Sequence, residues 1–224
     1  MNLAPPESDP TLSRRERKAA ESRDKIFRAA IELFSREGLD GVTIEQITDR
    51  ADVGKGLFFH YFPNKEAVLN HFGTLQVLRL REALATGEIS GPPRRRAEQV
   101  LSLLCTYPEI TPELARNLFL SALATWEFRQ IGGPNIWEVR DLLAEIIREG
   151  QATGECCPTA ADPHAAALFL LGQYFLGLLA WCSGFSSDSL EKTVLDFAQC
   201  AFNGIDVEGA PCRTCESVSD DGSH

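Results

Sequence analysis

The chain has 224 residues, of which 44% are hydrophobic and 24% are charged, and such values are typical of a soluble globular protein. Its formal net charge of −10 argues against a protein that binds nucleic acid over its whole surface. The imbalance lies in one part of the chain. Residues 1–65 hold 11 basic and 11 acidic residues, whereas residues 66–224 hold 11 basic and 21 acidic residues. The N-terminal part can therefore approach a phosphate backbone.

The chain contains seven cysteines, and its N-terminus has no hydrophobic run after a basic start. An odd number of cysteines without a secretion signal indicates free thiols in a reducing compartment rather than a disulfide framework. We therefore expect a cytoplasmic protein.

Residues 1–21 are expected to form a flexible basic arm. Residues 1–12 are rich in proline and polar side chains, as disordered segments are. Ser13 and Glu16 have the spacing of a capping box, which can start a helix early. Four cations lie here: Arg14, Arg15, Arg17 and Lys18. They can reach for DNA phosphates or the minor groove, or they can belong to a solvated helix face, and the pattern leaves both interpretations open.

The next stretch has the pattern of a helix that ends at Gly38. Its apolar residues recur at i, i+3, i+4, i+7 and i+8, which places them on one face. They are Ile26, Ala29, Ala30, Leu33 and Phe34. Glycine is a favoured residue at a helix C-terminus. This helix is expected to brace the two shorter helices that follow it.

Residues 42–66 have the pattern of two short helices joined by a tight turn. Thr43 and Gln46 form a capping box, which predicts a helix that begins at Ile44. Asp52 falls where the chain must turn, because aspartate tolerates left-handed backbone angles better than most residues. A second helix is predicted over residues 55–61.

This second helix is predicted to be pinned on one side and exposed on the other. Phe58 and Phe62, at i and i+4, face the core. Pro63 and Asn64 end the helix, and Asn64 can cap the helix that opens at Lys65. The other residues form a basic and aromatic outer surface: Lys55, Gly56, Leu57, Phe59, His60 and Tyr61. A short helix held in this way can present its side chains to the major groove of DNA.

The run from Val53 to Glu66 resembles the V-S-K-G-T-L-Y-H-Y-F-x-x-K-E pattern of the TetR (tetracycline-repressor) family of bacterial transcription regulators. The resemblance is specific over residues 26–69 and general in layout beyond them. It implies a DNA-reading helix-turn-helix with contacts from Thr43, Lys55, Gly56, Leu57, Phe59, His60, Tyr61 and Lys65. Among its departures from the pattern, Gly54, Leu57 and Phe59 replace Ser, Thr and Tyr, and so remove hydroxyl groups that could reach phosphate.

The residue types within this interface indicate different roles. Thr43 and Lys65 stand at predicted helix N-termini, which favour anions, so we expect them to contact phosphates. Lys55 is the strongest candidate to contact a guanine edge. For His60 and Tyr61, DNA contact and simple packing between helices are both open.

The rest of the chain predicts a helical body. Helical patterns recur over residues 65–85, 97–107, 111–131, 134–150, 162–182 and 188–204, without strand patterns or repeats. The fold class is therefore all-α, with about nine helices. We expect a helix-turn-helix DNA-binding domain over residues 22–68, a ligand-binding and dimerisation domain over residues 69–204, and a flexible acidic tail over residues 205–224.

Residues 165–182 form an uncharged stretch that is long enough to resemble a membrane span. Because no basic residues flank it, we expect instead a helix buried on nearly all sides of a soluble bundle, and no membrane partner.

A homodimer through the last two helices is also expected. A seven-residue reading helix covers only a few base pairs, and two copies related by a two-fold axis would read a palindrome in double-stranded DNA. The expected partner surface contains Leu168, Leu171, Phe175, Leu178, Leu179, Leu190, Val194 and Phe197.

The resemblance further implies a cavity for a small-molecule effector among the middle helices. A pocket of this kind is mostly apolar with few polar anchors, which favours a hydrophobic effector. The candidate lining residues, which can equally be ordinary core residues, are Tyr107, Asn117, Phe119, Ala122, Trp126, Trp137, Gln173 and Tyr174. The sequence thus predicts a DNA-binding repressor that a small hydrophobic effector releases from its operator.

The competing hypothesis is a redox- or metal-responsive regulator gated by cysteines. Cys156 and Cys157 are adjacent, and Cys212 and Cys215 form a C-x-x-C motif near the C-terminus. One such motif is weak evidence, because a closed zinc site needs four ligands. No cofactor or metal is expected. The sequence also lacks the G-x-S-x-G, P-loop, H-E-x-x-H and dinucleotide motifs, so an enzyme is not expected.

Overall fold

The structure is a computed structural model that describes residues 13–106, 111–115, 133–156 and 162–203. Within these ranges the secondary structure is helical throughout, which confirms the predicted all-α fold. Eight helices have defined bounds: α1 Arg14–Gly41, α2 Ile44–Ala51, α3 Lys55–Tyr61, α4 Glu66–Ala85, α5 Pro93–Cys105, α6 Gly133–Thr153, α7 Pro163–Cys182 and α8 Leu190–Asn203. Residues 112–115 are helical as well.

The chain forms two compact units. The N-terminal unit contains α1, α2, α3 and α4 up to Gly73, and it also takes in residues 111–115. The C-terminal unit contains α4 from Thr74 onwards, α5, nearly all of α6, α7 and α8.

Helix α1 begins and breaks at residues that the sequence indicated. The Ser13 hydroxyl accepts a hydrogen bond from the Glu16 N–H at 3.3 Å, and the Glu16 carboxylate accepts one from the Ser13 N–H at 2.8 Å. Residues 14–21, expected within a flexible arm, are therefore the first two turns of α1. The helix is interrupted at Gly38, whose φ of 76° lies in the left-handed region that glycine adopts without strain. One short helical turn then continues to Gly41.

The core of the N-terminal unit is built around the side chains that the 3.6-residue pattern placed inside. Helix α1 packs against α2 and α3. The most completely buried residues of the unit are Ile26, Ala30, Phe34, Ile47, Phe58 and Val68, each 0% exposed. Burial of an aliphatic or aromatic side chain of this size contributes about 1.5–3 kcal/mol. The two short helices therefore depend on α1 for their stability.

In the C-terminal unit, α8 packs against both α5 and α7. Helices α7 and α8 approach closely at Gly177, where an added β-carbon would lie 2.7 Å from Cγ2 and 3.0 Å from Cα of Val194. Helix α6 is tied to its neighbours by ion pairs, from Arg81 of α4 to Glu138 and from Arg96 of α5 to Glu149.

Helix α7 differs from the expectation in one respect. It begins as predicted, with the Asp162 carboxylate accepting from the backbone N–H groups of His164 and Ala165, both at 3.1 Å. By length and composition it could cross a membrane, yet only 33% of its most apolar 18-residue window is buried within the chain. The prediction that it is buried on nearly all sides is therefore wrong for the single chain, because α7 packs against α8 on one side and keeps Leu168, Phe169 and Leu176 exposed on another.

The residues expected at the dimer interface fall into a buried group and an exposed group. Leu171, Leu190 and Val194 are at most 5% exposed and belong to the core of the single chain, so their assignment to a partner surface is wrong. The opposite face of α7 keeps apolar side chains in solvent. The exposed ones are Leu168, Phe169, Leu176 and Leu179.

We expect the substitution Gly177→Ala to destabilise the protein by about 1–3 kcal/mol, because overpacking against a backbone atom cannot be relieved by rotating a side chain. The melting temperature measured by circular dichroism should fall. The control is Gly56→Ala in α3, where the added methyl meets no atom within 4 Å and alanine favours the helix by about 1 kcal/mol. An unchanged melting temperature for Gly177→Ala would show that α7 and α8 are not packed this closely.

Candidate nucleic-acid interface

The turn between α2 and α3 is built as the sequence predicted. The Thr43 hydroxyl accepts from the Gln46 N–H at 3.2 Å, and the Gln46 side chain accepts from the Thr43 N–H at 2.7 Å. Because the hydroxyl serves here as an acceptor, its own hydrogen stays available to a phosphate. Asp52 ends α2 with φ 55° and ψ 52° and is the one non-glycine residue with positive φ in the described ranges. The Val53 N–H then donates to the Thr48 carbonyl at 3.0 Å and closes the turn.

Helix α3 is anchored from below by aromatic rings. Phe58 is fully buried and Phe62 is 3% exposed, with their ring centroids 5.9 Å apart. His71 of α4 lies between Phe62 and Phe27, at ring distances of 5.7 Å and 5.3 Å. Burial in this aromatic environment lowers the pKa of His71, and the nearby charge of Arg23 lowers it further. The neutral imidazole thus serves as a packing side chain.

The opposite face of α3 is open to solvent. Phe59 is 53% exposed, and Lys55, Gly56 and His60 are also exposed. Their spacing of i, i+1, i+4 and i+5 places them side by side on a helix. Leu57 and Tyr61 are half-buried, and the Tyr61 ring meets the His60 ring edge-on at 4.8 Å.

Nothing within the protein requires glycine at position 56. It does not have positive φ, and a β-carbon there would meet no atom within 4 Å. Glycine inside a helix costs about 1 kcal/mol relative to alanine. Gly54, which precedes α3, has equally open surroundings. Bare backbone at these two positions is the geometry that a close approach of another molecule requires.

The cations of this region are largely engaged within the protein. The Lys55 ammonium pairs with the Glu45 carboxylate of α2. Arg50 donates to both carboxylate oxygens of Glu32, at 2.9 Å and 2.8 Å. Both pairs are exposed, so each contributes little to stability and can be exchanged for a stronger anionic partner.

Lys65 has a role that the sequence did not reveal. Its ammonium donates to the carbonyl oxygens of Leu39 and Val42, at 2.7 Å and 2.8 Å. These carbonyls lie where α1 ends and the chain enters α2, so the lysine ties that segment to the loop after α3. It is half-buried and stands one residue before α4, which begins at Glu66 and is capped by an N–H of Ala67 donating to Asn64 at 2.8 Å.

Four of the expected DNA-contacting residues surround one hollow of about 470 Å³ on this surface. They are Thr43, Lys55, Phe59 and Lys65. The acidic residues Asp40, Glu45 and Glu66 also line it, and no sequence pattern singled them out. Glu45 pairs with Lys55 of the next helix, a contact that the i, i+4 rule for a single helix does not predict.

The cations at the start of α1 have different surroundings. Arg14, Arg15, Arg17 and Lys18 are all exposed, on a helix whose first turn also carries Glu16.

The expected effector-binding residues are only partly described by the structure. Tyr107, Asn117, Phe119, Ala122 and Trp126 lie outside the described residues. Trp137 is 49% exposed on α6, with the Arg140 guanidinium 4.7 Å from its ring centroid. Gln173 donates to the Phe169 carbonyl of its own helix at 3.4 Å. Tyr174 is buried beside Cys105 of α5, and burial raises the pKa of its hydroxyl.

The described cysteines are free thiols. Burial, with a smaller contribution from Glu191, raises the pKa of Cys105 to about 12. Burial also raises the pKa of Cys156, as does the nearby Glu155. A thiol that stays protonated at neutral pH is a poor nucleophile and metal ligand. Cys157, Cys212 and Cys215 lie outside the described residues.

A capped helix, a tight left-handed turn and a short helix with an open outer face together define a helix-turn-helix protein that binds DNA. Comparison with known proteins identifies the family of this DNA-binding protein. The model of the TetR family of bacterial regulatory proteins matches residues 26–72.

Relatives extend the similarity to most of the chain. The transcriptional repressor NicS of Pseudomonas putida is 32% identical over 168 residues, which are 69% of this chain and 76% of that protein. The repressor KstR of Mycolicibacterium smegmatis is 26% identical over 188 residues, covering 80% and 85%. The crystal structure of Thermus thermophilus FadR, a TetR-family repressor in complex with lauroyl-CoA, has a TM-score of 0.62 and 27% identity, covering 85% and 98%. The chain belongs to the TetR family of bacterial transcriptional regulators, and it is not an enzyme.

The two roles open to Lys65 can be separated by the substitution Lys65→Met. We expect a lower melting temperature, because two carbonyls lose their donor, and weaker DNA binding with an unchanged dependence on salt. A direct phosphate contact predicts the opposite result: an unchanged melting temperature and a salt slope smaller by about 1.

The measurements are thermal unfolding and DNA titrations at several salt concentrations. Lys25→Met is the matched control for stability, since Lys25 is exposed on α1. Its melting temperature should stay at the wild-type value.

Proposed function

We propose that the protein is a cytoplasmic homodimeric repressor that binds a palindromic operator and is released by a small hydrophobic effector. DNA binding rests on the open outer face of α3 and on the family. The reading domain then comprises residues 22–68, and residues 69–204 form the body that dimerises and binds the effector. The similarity to NicS and KstR, which are both transcriptional repressors, supports the sign of regulation.

The proposed dimer is supported by the apolar face of α7, which the single chain leaves exposed. Leu168 and Leu176 are 49% and 51% exposed, and Phe185 in the following loop is 91% exposed. A contiguous apolar surface of this kind marks an interaction site in a soluble protein. Gly172 lies between the two leucines, at i+4 from one and i−4 from the other, and the space above it is open. A second α7 related by a two-fold axis can approach closely there.

A hollow next to this face favours the same partner. It has a volume of about 790 Å³ and lies between the end of α7, the loop that follows and α8. Leu176, Leu179 and Phe185 line it on one side, with Phe197 of α8 on the other. Apolar side chains of a partner subunit can fill such a space, which extends the α7 contact onto α8.

The effector class follows from the composition of the body and from one solved relative. The C-terminal unit buries Tyr174 and aliphatic side chains of α5, α6, α7 and α8, and a site that opens among such side chains would suit a ligand with little charge at its buried end. Thermus thermophilus FadR binds lauroyl-CoA, whose acyl chain is apolar. Effector binding would shift the dimer to a state in which the two reading helices no longer match consecutive major grooves.

The dimer is tested by Leu176→Glu, which places a charge in the centre of the proposed interface. We expect wild-type protein to be a dimer at micromolar concentration and the variant to be a monomer with strongly reduced affinity for a duplex selected with the wild-type protein. Sedimentation and DNA titration measure the two effects. Leu78→Glu is the matched control, because Leu78 is 56% exposed on α4 and should tolerate the charge. A monodisperse wild-type monomer would rule the dimer out.

Release by an effector is tested with lauroyl-CoA and a panel of uncharged aromatic compounds. We expect every compound that raises the melting temperature to lower the affinity for the selected duplex as well, since both effects come from preference for the released state. Compounds that stabilise the protein and leave DNA binding unchanged would contradict the proposed regulation.

A further inference from the structure

Phe59 is the most unusual side chain on the open face of α3. It is 53% exposed, although a phenyl ring has no polar group that gains from contact with water. The buried Phe58 lies against it edge-on, with ring centroids 5.6 Å apart and an angle of 88° between the rings. This contact fixes the direction of the exposed ring. An apolar ring held in this direction on the DNA-reading surface is suited to contact an apolar group of the DNA.

The rest of α3 offers few polar groups that could read bases. Its sequence, KGLFFHY, contains one Lys and no Arg, Asn, Gln, Asp or Glu, the other side chains that commonly form hydrogen bonds to base edges. Lys55 has to leave Glu45 before it can reach a base. His60 and Tyr61 contact each other through their rings. Hydrogen-bond readout by this helix is therefore limited, and Phe59 has to contribute by apolar contact.

The major groove presents one apolar group among its donors and acceptors, the C5-methyl group of thymine. Gly56 lies three residues before Phe59 on the same face and leaves the space beside the ring open. A base pair can therefore come close enough for a methyl group to lie on the ring. Cytosine carries only a hydrogen at C5 and the purines have no methyl group in the major groove, so thymine offers the largest apolar contact to a phenyl ring.

We propose that Phe59 selects thymine at one position of each operator half-site by packing against its C5-methyl group. The inference rests on the proposed function, because it needs α3 in the major groove. It goes further by assigning the chemistry of one contact and by requiring an A·T pair at that position. Phe59 is then a specificity-determining residue, and Lys55, His60 and Tyr61 supply the remaining polar contacts.

The test begins with a duplex selected from a randomised library by the wild-type full-length protein. Each thymine of this duplex is then replaced singly by uracil, which removes the methyl group and keeps the base pair and all hydrogen-bonding groups. We expect one thymine in each half-site at which the replacement weakens wild-type binding about fourfold, the effect of losing one buried methyl group.

The substitution Phe59→Ala should weaken binding to the thymine duplex and abolish the difference between thymine and uracil at that position. The double-mutant cycle isolates the contact from other effects of the substitution. His60→Ala is the control on the same face and should keep the full difference. Because Phe59 is exposed, both variants should fold, and thermal unfolding verifies this.

Two results would overturn the inference while leaving DNA binding intact. One is a selected duplex in which no thymine is sensitive to uracil. The other is a sensitive thymine whose effect persists in Phe59→Ala. If the selection enriches no duplex at all, the proposed function itself fails, and the inference fails with it.

Discussion

A helix of seven residues is not stable by itself in water, so the reading helix α3 exists only because its inner side is buried. Phe58, fully buried, provides that anchor, and Phe62 extends it into the loop that follows. The same burial orients the outer face, since fixing one side of a helix fixes its rotation about its axis and so the direction in which its other residues project. The packing of the inner side of α3 therefore also determines how its outer side meets DNA. Substitutions at Phe58 would affect stability and DNA recognition together.

Local signals were enough to predict the reading unit in detail. The capping pair Thr43–Gln46 and the left-handed Asp52 define α2, and the bounds predicted for α3 are those observed. Each of these signals acts over a few residues, which is why sequence alone contains them. The bonds from Lys65 to Leu39 and Val42 span 26 and 23 residues. Such contacts depend on the fold and leave no periodic trace in the sequence.

Helix α7 shows the opposite limit of sequence-based prediction. Its residues are apolar on all sides, so periodicity cannot distinguish a membrane span, a central core helix and a helix with one face in an interface. The distinction comes from tertiary packing. Helix α8 covers the side of Leu171 and Gly177, and the side of Leu168 and Leu176 stays open. The proposed dimer would account for this pattern, since one face completes the monomer and the other would join two copies.

The arrangement of charge has a consequence for how this regulator would bind DNA. The body carries the excess of acidic residues, and on the reading unit Lys55 and Arg50 are paired with carboxylates while Lys65 is bound to backbone carbonyls. Non-specific attraction to phosphates, which dominates the affinity of many DNA-binding proteins, then depends first on the exposed cations of α1. Lys55 and Arg50 contribute only once they exchange their carboxylate partners for phosphate. With that attraction reduced, discrimination between sequences has to come from close contact at the bases. Glycine at position 56 and an exposed phenyl ring at position 59 suit this kind of recognition, because both gain only when a base pair fits closely against them.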